Sequence, residues 1–154
     1  MRNMKTDRGG YKSSLDSDEK VLMAIIRTAE LLKKGVGAIF KNYGLTFSQY
    51  NVLRILDSTP NGKNTITIVS RIMLVSGANM TGVAKRLEKN GFLIRRGDAN
   101  DERIKILEIT PKGKETLKNI HYEKNEVLKK YMSRISINEN EELLAKLKQI
   151  RKNV

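Results

Sequence analysis

A chain of 154 residues is long enough to be one domain with a core of its own. Lys and Arg total 30 against 17 acidic residues, and the net charge of +13 favours a polyanionic partner, a solvated charged surface being the other reading. The absence of Cys and the single His, His121, exclude disulfides, thiolate metal sites, thiol-based oxidant sensing and a histidine-rich metal site within one subunit, so no cofactor is expected.

Residues 1–14 are rich in Gly, Ser and charge and have no apolar period, which predicts a flexible N-terminal arm. They lack the apolar run of a signal peptide, and no segment approaches the ~20 apolar residues of a membrane span, so a cytoplasmic protein is expected. From 17 to about 41, Leu22, Ile25, Ile26, Ala29, Leu32, Val36 and Ile39 recur at three- and four-residue spacing and predict a long amphipathic helix. Gly35 and Gly37 weaken it by roughly 1 kcal/mol each relative to Ala, enough to allow a bend. Thr46-Phe47-Ser48-Gln49 is a capping box, with Leu45 and Tyr50 placed for a hydrophobic staple. The helix it opens runs through Val52, Leu53, Ile55 and Leu56 and ends at Ser58-Thr59-Pro60-Asn61-Gly62. A short β-branched run at 65–67 precedes a brief helix carrying Val69, Ile72 and Met73. A further helix begins a residue or two later, giving a helix-turn-helix in which the first member supports the second against DNA.

That further helix opens at Ser76, whose hydroxyl can accept from the free N–H groups of a first turn. Met80, Val83, Ala84 and Leu87 make its apolar face. Asn79, Thr81, Lys85, Arg86 and Lys89 lie opposite, and all are donors that suit phosphates or base edges. Gly77, Ala78 and Gly82 are small, which lets a backbone approach a groove floor, although Gly82 in mid-helix costs stability. Ser76 itself is an N-cap worth ~1 kcal/mol with phosphate contact as a second role. Asn90-Gly91 stops the helix, Gly91 being able to adopt the left-handed conformation. Residues 92–95 and 104–109 are β-prone and predict a hairpin with a polar, charged tip. In it Asp98 and Asp101 pair with Arg103 to shape the loop, or Arg103 and Lys105 contact DNA.

Asp98, Asp101, Arg103, Leu107, Ile109, Thr110 and Gly113 stand at the spacing of the wing pattern of the MarR (multiple antibiotic resistance regulator) family. Val75-Ser76, Asn79, Thr81 and Arg86-Leu87-Glu88-Lys89-Asn90-Gly91 stand at that of its DNA-reading helix. The chain resembles this family in arrangement from about Ser17 to about Arg151. It departs at Glu102, where an Arg is common at the wing tip, at Gly82, where an Arg is common on the helix, and at Lys85, where an Asp is common. The resemblance implies a mainly α fold with a small β-hairpin: a winged helix-turn-helix core flanked by N- and C-terminal dimerisation helices. It also implies a homodimeric repressor, released from a palindromic operator in double-stranded DNA by a small-molecule effector.

Thr110-Pro111 is an N-cap followed by proline at the first helical position and predicts a helix to about 134. Asn138-Glu139-Asn140-Glu141 reads as a capping box for a last helix with Leu143, Leu144, Leu147 and Ile150 on one face. The expected organisation is therefore an arm at 1–14 and one domain at 15–154, with a DNA-reading part at about 46–110 and dimerisation helices at about 17–41 and 111–152. The terminal stripes either fold onto the chain's own core or pair two subunits, and pairing gives better discrimination of a palindrome. Phe40, Tyr43, Tyr50 and Arg54 fall near the junction of the two parts and either line an effector pocket or are plain core.

Positive charge is spread along the chain: residues 77–115 hold nine basic and six acidic residues, and residues 21–76 hold seven and two. A diffuse field steers DNA without locating the site, so a non-specific architectural DNA binder is the alternative to a sequence-specific regulator. No metal-ligand cluster, phosphate-cradling glycine loop or nucleophile elbow is present in the sequence, which argues against an enzyme.

Overall fold

The computed structural model describes residues 15–98, 101 and 103–153. The expected arm at 1–14 and the wing-tip Glu102 lie outside them. The elements run α1 (Ser17–Asn42), α2 (Phe47–Asp57), a 3₁₀ turn (Pro60–Gly62), β1 (Lys63–Thr65), α3 (Ile66–Ile72), α4 (Gly77–Lys89), β2 (Leu93–Gly97), β3 (Lys105–Ile109), α5 (Pro111–Met132) and α6 (Ile137–Lys152). The chain divides into two units at Gly35. In the first, the α1 residues Val21, Leu22, Ile26 and Leu31 are exposed. The second holds the rest.

Local chemistry sets the element starts in the second unit. Thr46 caps α2 with the expected box, its Oγ1 accepting from Gln49 N at 3.2 Å while Gln49 Oε1 accepts from Thr46 N at 2.8 Å. Thr65 caps α3 and Ser76 caps α4 in the same way, each hydroxyl accepting from the N–H three residues on. Leu74, with φ of 54°, turns the chain between α3 and α4, whose axes bend by 110°. This is the angle range of a helix-turn-helix. Gly91 (φ 74°) then ends α4 in the left-handed conformation expected of it.

Two boundaries differ from the sequence reading. The sheet has three strands, ordered β1-β3-β2 and antiparallel throughout, rather than the two of a hairpin. β1 is only three residues long and largely polar, and of the β-branched run at 65–67 it takes only Thr65, Ile66 and Thr67 opening α3 instead; the strand exists because the free edge of β3 supplies partners, Lys63 opposite Glu108 through Thr65 opposite Ile106. The last helix starts earlier than Asn138, because Ser136 is the better cap. Its Oγ accepts from Glu139 N at 3.3 Å, and Glu139 Oε2 accepts from Ser136 N at 2.8 Å and from its hydroxyl at 2.7 Å. Those two donors, the backbone N–H first, hold the Glu139 carboxyl below its usual range.

The core of this unit is one cluster centred on Val52, Leu53, Leu56, Val69, Met80, Ala84, Leu87, Leu107 and Ile120, each 0% exposed. It joins α2, α3, α4, β3 and α5. A second anchor lies where α4 meets the sheet and α5. Thr110 Oγ1 donates to the carbonyls of Gly91 (2.8 Å) and Phe92 (3.1 Å) as alternatives and accepts from Gly113 N (3.1 Å). A Cβ on Gly113 would stand 2.5 Å from Phe92 O and 2.7 Å from Ile109 Cγ1, so at this Thr-x-x-Gly α5 is packed closely against the α4–β2 turn. Outside the core, α6 buries no residue.

Candidate nucleic-acid interface

α4 is anchored along one side and free along the other. Met80, Ala84 and Leu87 are fully buried, and each large apolar side chain so covered stabilises by roughly 1.5–3 kcal/mol. That outweighs the ~1 kcal/mol that Gly82 costs the helix interior. At 100° per residue, Ala78, Gly82, Lys85 and Lys89 fall on the line opposite the buried stripe, with Asn79 and Arg86 flanking it on one side. Ala78, Asn79, Lys85, Arg86 and Lys89 are exposed. Among the described residues the side chains of Asn79, Lys85, Arg86 and Lys89 make no hydrogen bond or ion pair, so their donors are available for base edges and phosphates.

The remaining helix residues named from sequence have other engagements. Ser76 Oγ accepts from Asn79 N at 3.3 Å, so its hydroxyl is used as the cap. Thr81 is half-buried and its hydroxyl donates to Gly77 O at 2.9 Å, which takes up its one donor. Gly77 is exposed with open space where a side chain would be, and among the described residues, chain neighbours aside, the side-chain atoms near a Cβ on Gly82 belong to Arg86.

One ion pair ties the wing to the helix and two more brace the sheet, none of them evident in the sequence alone. Glu88, near the end of α4, accepts from Arg95 of β2 at 2.5 Å (Nη2) and 2.7 Å (Nε). Glu108, on the central strand β3, lies 3.3 Å from both Lys63 Nζ of β1 and Arg96 Nε of β2. Three basic residues, Lys63, Arg95 and Arg96, are therefore committed to holding the sheet and its link to α4. The signal in the sequence is the strand pattern, which places Glu108 opposite Lys63 and Ile94, but it needs β1 to be recognised first. At the tip, Asp101 Oδ1 accepts from the backbone N–H of Arg103 at 2.9 Å, so this shaping bond does not depend on the Arg103 side chain. Arg103 and Lys105 are both exposed, Lys105 at the start of β3 opposite Gly97.

The residues expected at the effector pocket separate into two groups. Tyr50 and Arg54 line a cleft of about 290 Å³ between α2 and α5, together with Asp57, Lys114, Leu117, Lys118, His121, Tyr122 and Lys124. Phe40 and Tyr43 are not on its wall. Phe40 is 1% exposed and stacks on Tyr50 with centroids 4.0 Å apart, while the Tyr43 hydroxyl donates to Glu123 at 2.5 Å. That bond and partial desolvation raise the Tyr43 phenol above its ordinary value. Arg54, Lys114, Lys118 and Lys124 face a single carboxylate, Asp57, so the cleft favours an anion.

The MarR family profile matches residues 45–105, which run from the residue before the α2 cap to the first residue of β3. An uncharacterised HTH-type transcriptional regulator of Bacillus subtilis, YkoM, is 35% identical over 108 residues, covering 70% of this chain and 69% of that protein. Among solved structures, Sco3205, a MarR family regulator from Streptomyces coelicolor in complex with DNA, is similar with a TM-score of 0.80 at 20% identity, covering 93% of this chain and 91% of that one. The organohalide-sensing regulator RdhR, in its 2,4-dichlorophenol-bound form, is similar with a TM-score of 0.83 at 17% identity, covering 100% of this chain and 90% of that one. At such identities the structural likeness speaks for the fold, a winged helix. The family and the curated relatives are transcription regulators rather than enzymes. With the profile over its DNA-reading part, the sequence relative and the shared fold in agreement, this chain belongs to the MarR family of DNA-binding transcriptional regulators.

Proposed function

We propose that this regulator reads a specific, palindromic operator as a homodimer, with Asn79, Lys85, Arg86 and the backbone at Ala78 and Gly82 facing the major groove and Arg103 and Lys105 contacting DNA from the wing. The observation that carries the reading is the outward face of α4. It pairs small residues with uncommitted donors on a helix whose other face is locked into the core. Ser76, Gly77 and Thr81 support the approach of the helix rather than reading bases. A non-specific binder would need only the diffuse charge and no such face.

Dimerisation is supported by the apolar stripe of α6, where Ile137, Leu143, Leu144, Leu147 and Ile150 are all exposed. A second copy of the same helices, about 17–41 and 111–152, would cover it, and a two-fold pair doubles the sequence read. Seated on an operator in the cytoplasm, such a dimer blocks access to the DNA beneath it and represses. The basic α2–α5 cleft, with Tyr50 and Arg54 on its wall and Phe40 and Tyr43 behind, is the place for a small anionic effector that releases the dimer. RdhR, of the same fold, was solved with a small phenol bound. Sedimentation with and without duplexes enriched from a randomised library tests both parts. Two subunits per duplex and a two-fold repeat in the enriched sequence are expected, whereas a stable monomer at micromolar concentration would refute the dimer.

A further inference from the structure

The geometry points to Gly82 and Arg86 acting as one specificity element: Gly82 vacates the outermost line of α4 so that the Arg86 guanidinium can lie there and read a guanine. The inference rests on the reading of α4 as the operator-reading helix and names how that helix discriminates. Side chains on a helix lean toward its N-terminus, so the residue one turn after Gly82 is the one that can cover it. A Cβ built on Gly82 would meet Arg86 Nη1 at 3.8 Å and Nη2 at 4.0 Å, and among the described residues, its two chain neighbours aside, no other side chain lies within 4 Å. The guanidinium therefore rests over bare backbone, beside the line shared with Ala78, and Gly82 is only half-exposed beneath it. No carboxylate claims it among the described residues, whereas Arg95 is held by Glu88 and Arg96 by Glu108.

An Arg that extended sideways from the flank of the helix would meet the phosphates bordering the groove. One folded over the outermost line is carried toward the groove floor, where its fork matches O6 and N7 of guanine. A longer side chain at position 82 would occupy that line and push the guanidinium to the flank. Asn79, on the same flank as Arg86 and nearer the helix N-terminus, has the amide that pairs with adenine. The half-site is thus expected to hold one G·C pair read by Arg86 and, toward the helix N-terminus, an A·T pair read by Asn79.

The experiment enriches duplexes from a randomised library with the wild-type dimer, Gly82→Leu, Arg86→Ala and the double variant. Each protein's affinity is then measured for the wild-type motif and for a scrambled duplex of equal length and composition. Gly82→Leu keeps every charge and adds a good helix former, and a thermal melt verifies that it is folded. The expected result is that both single variants lose the guanine preference at the same position of each half-site. The motif-to-scrambled ratio should fall about 5- to 150-fold per half-site, the range of ~1–3 kcal/mol at 1.4 kcal/mol per tenfold, with the double variant no worse than either single. Retention of the guanine preference in Gly82→Leu would overturn the inference, as would an Arg86→Ala that weakens motif and scrambled duplex alike. A wild-type protein that enriches no motif would instead overturn the sequence-specific reading, and this one with it.

Discussion

Two helical glycines should respond to Ala in opposite directions, and the structure gives the sizes. At Gly82 a Cβ reaches only the movable end of Arg86 at 3.8 Å, ordinary contact, so Gly82→Ala should gain the helix preference of ~1 kcal/mol. For a chain of this length that raises the melting temperature by roughly 2–4 °C. At Gly113, in the first turn of α5, the same change places a Cβ 2.5 Å from Phe92 O and 2.7 Å from Ile109 Cγ1. Neither can retreat freely. Phe92 O accepts from Thr110 N at 3.1 Å, and Ile109 is 5% exposed in the core. Overpacking of this kind costs about 1–3 kcal/mol, so Gly113→Ala should lower the melting temperature by roughly 2–12 °C despite its better helix propensity. Thermal denaturation of both variants and wild type at one protein concentration, which fixes any contribution from self-association, measures the difference. A Gly113→Ala protein as stable as Gly82→Ala would refute the reading of the Thr110–Gly113 junction as a close-packed contact between α5 and the α4–β2 turn.

Leu144→Glu with Leu147→Glu places charge on the exposed stripe of α6 and should shift the protein to monomer in sedimentation without unfolding it, since α6 buries no residue. Asn79→Ala should cost ~1–3 kcal/mol on the preferred sequence and relax one position per half-site, measured as competition against substituted duplexes. Glu88→Gln should leave helix content unchanged but loosen the wing, seen as faster amide exchange in β2, because Arg95 loses the carboxylate that ties the strand to α4. The raised Tyr43 phenol means that its bond to Glu123 contributes below the ordinary phenol range and is lost as pH rises through and above it. Wild type should therefore exceed Tyr43→Phe in stability at neutral pH, the difference vanishing in strongly alkaline melts.

Where the causes are local, the fold is legible in the sequence directly. Thr46, Ser76 and Thr110 are each readable as caps because a hydroxyl three residues before a free N–H needs nothing from elsewhere, and Gly91 because a left-handed residue must follow α4. Ser136 obeys the same rule, but Asn138 offers a second candidate box within a few residues of it, and spacing alone does not choose between them. β1 is illegible for a different reason: three mostly polar residues become a strand only when β3 is beside them. The outward face of α4 can be read from its period, but which of its members are committed cannot. Thr81 looks like a base-reading donor until its hydroxyl is found on Gly77 O. Phe40 and Tyr43 share a region with Tyr50 and Arg54 in sequence; only the packing shows that the Phe40 ring backs Tyr50 while Tyr50 and Arg54 face the cleft.

Whether α4 reads sequence rather than merely following charge is decided by footprinting the protein on genomic DNA while titrating non-specific competitor. Discrete protected palindromes that persist as competitor rises, each half-site covered equally, are expected. Uniform protection that fades everywhere at the same competitor concentration would contradict sequence reading by α4 and leave a charge-driven, architectural DNA binder.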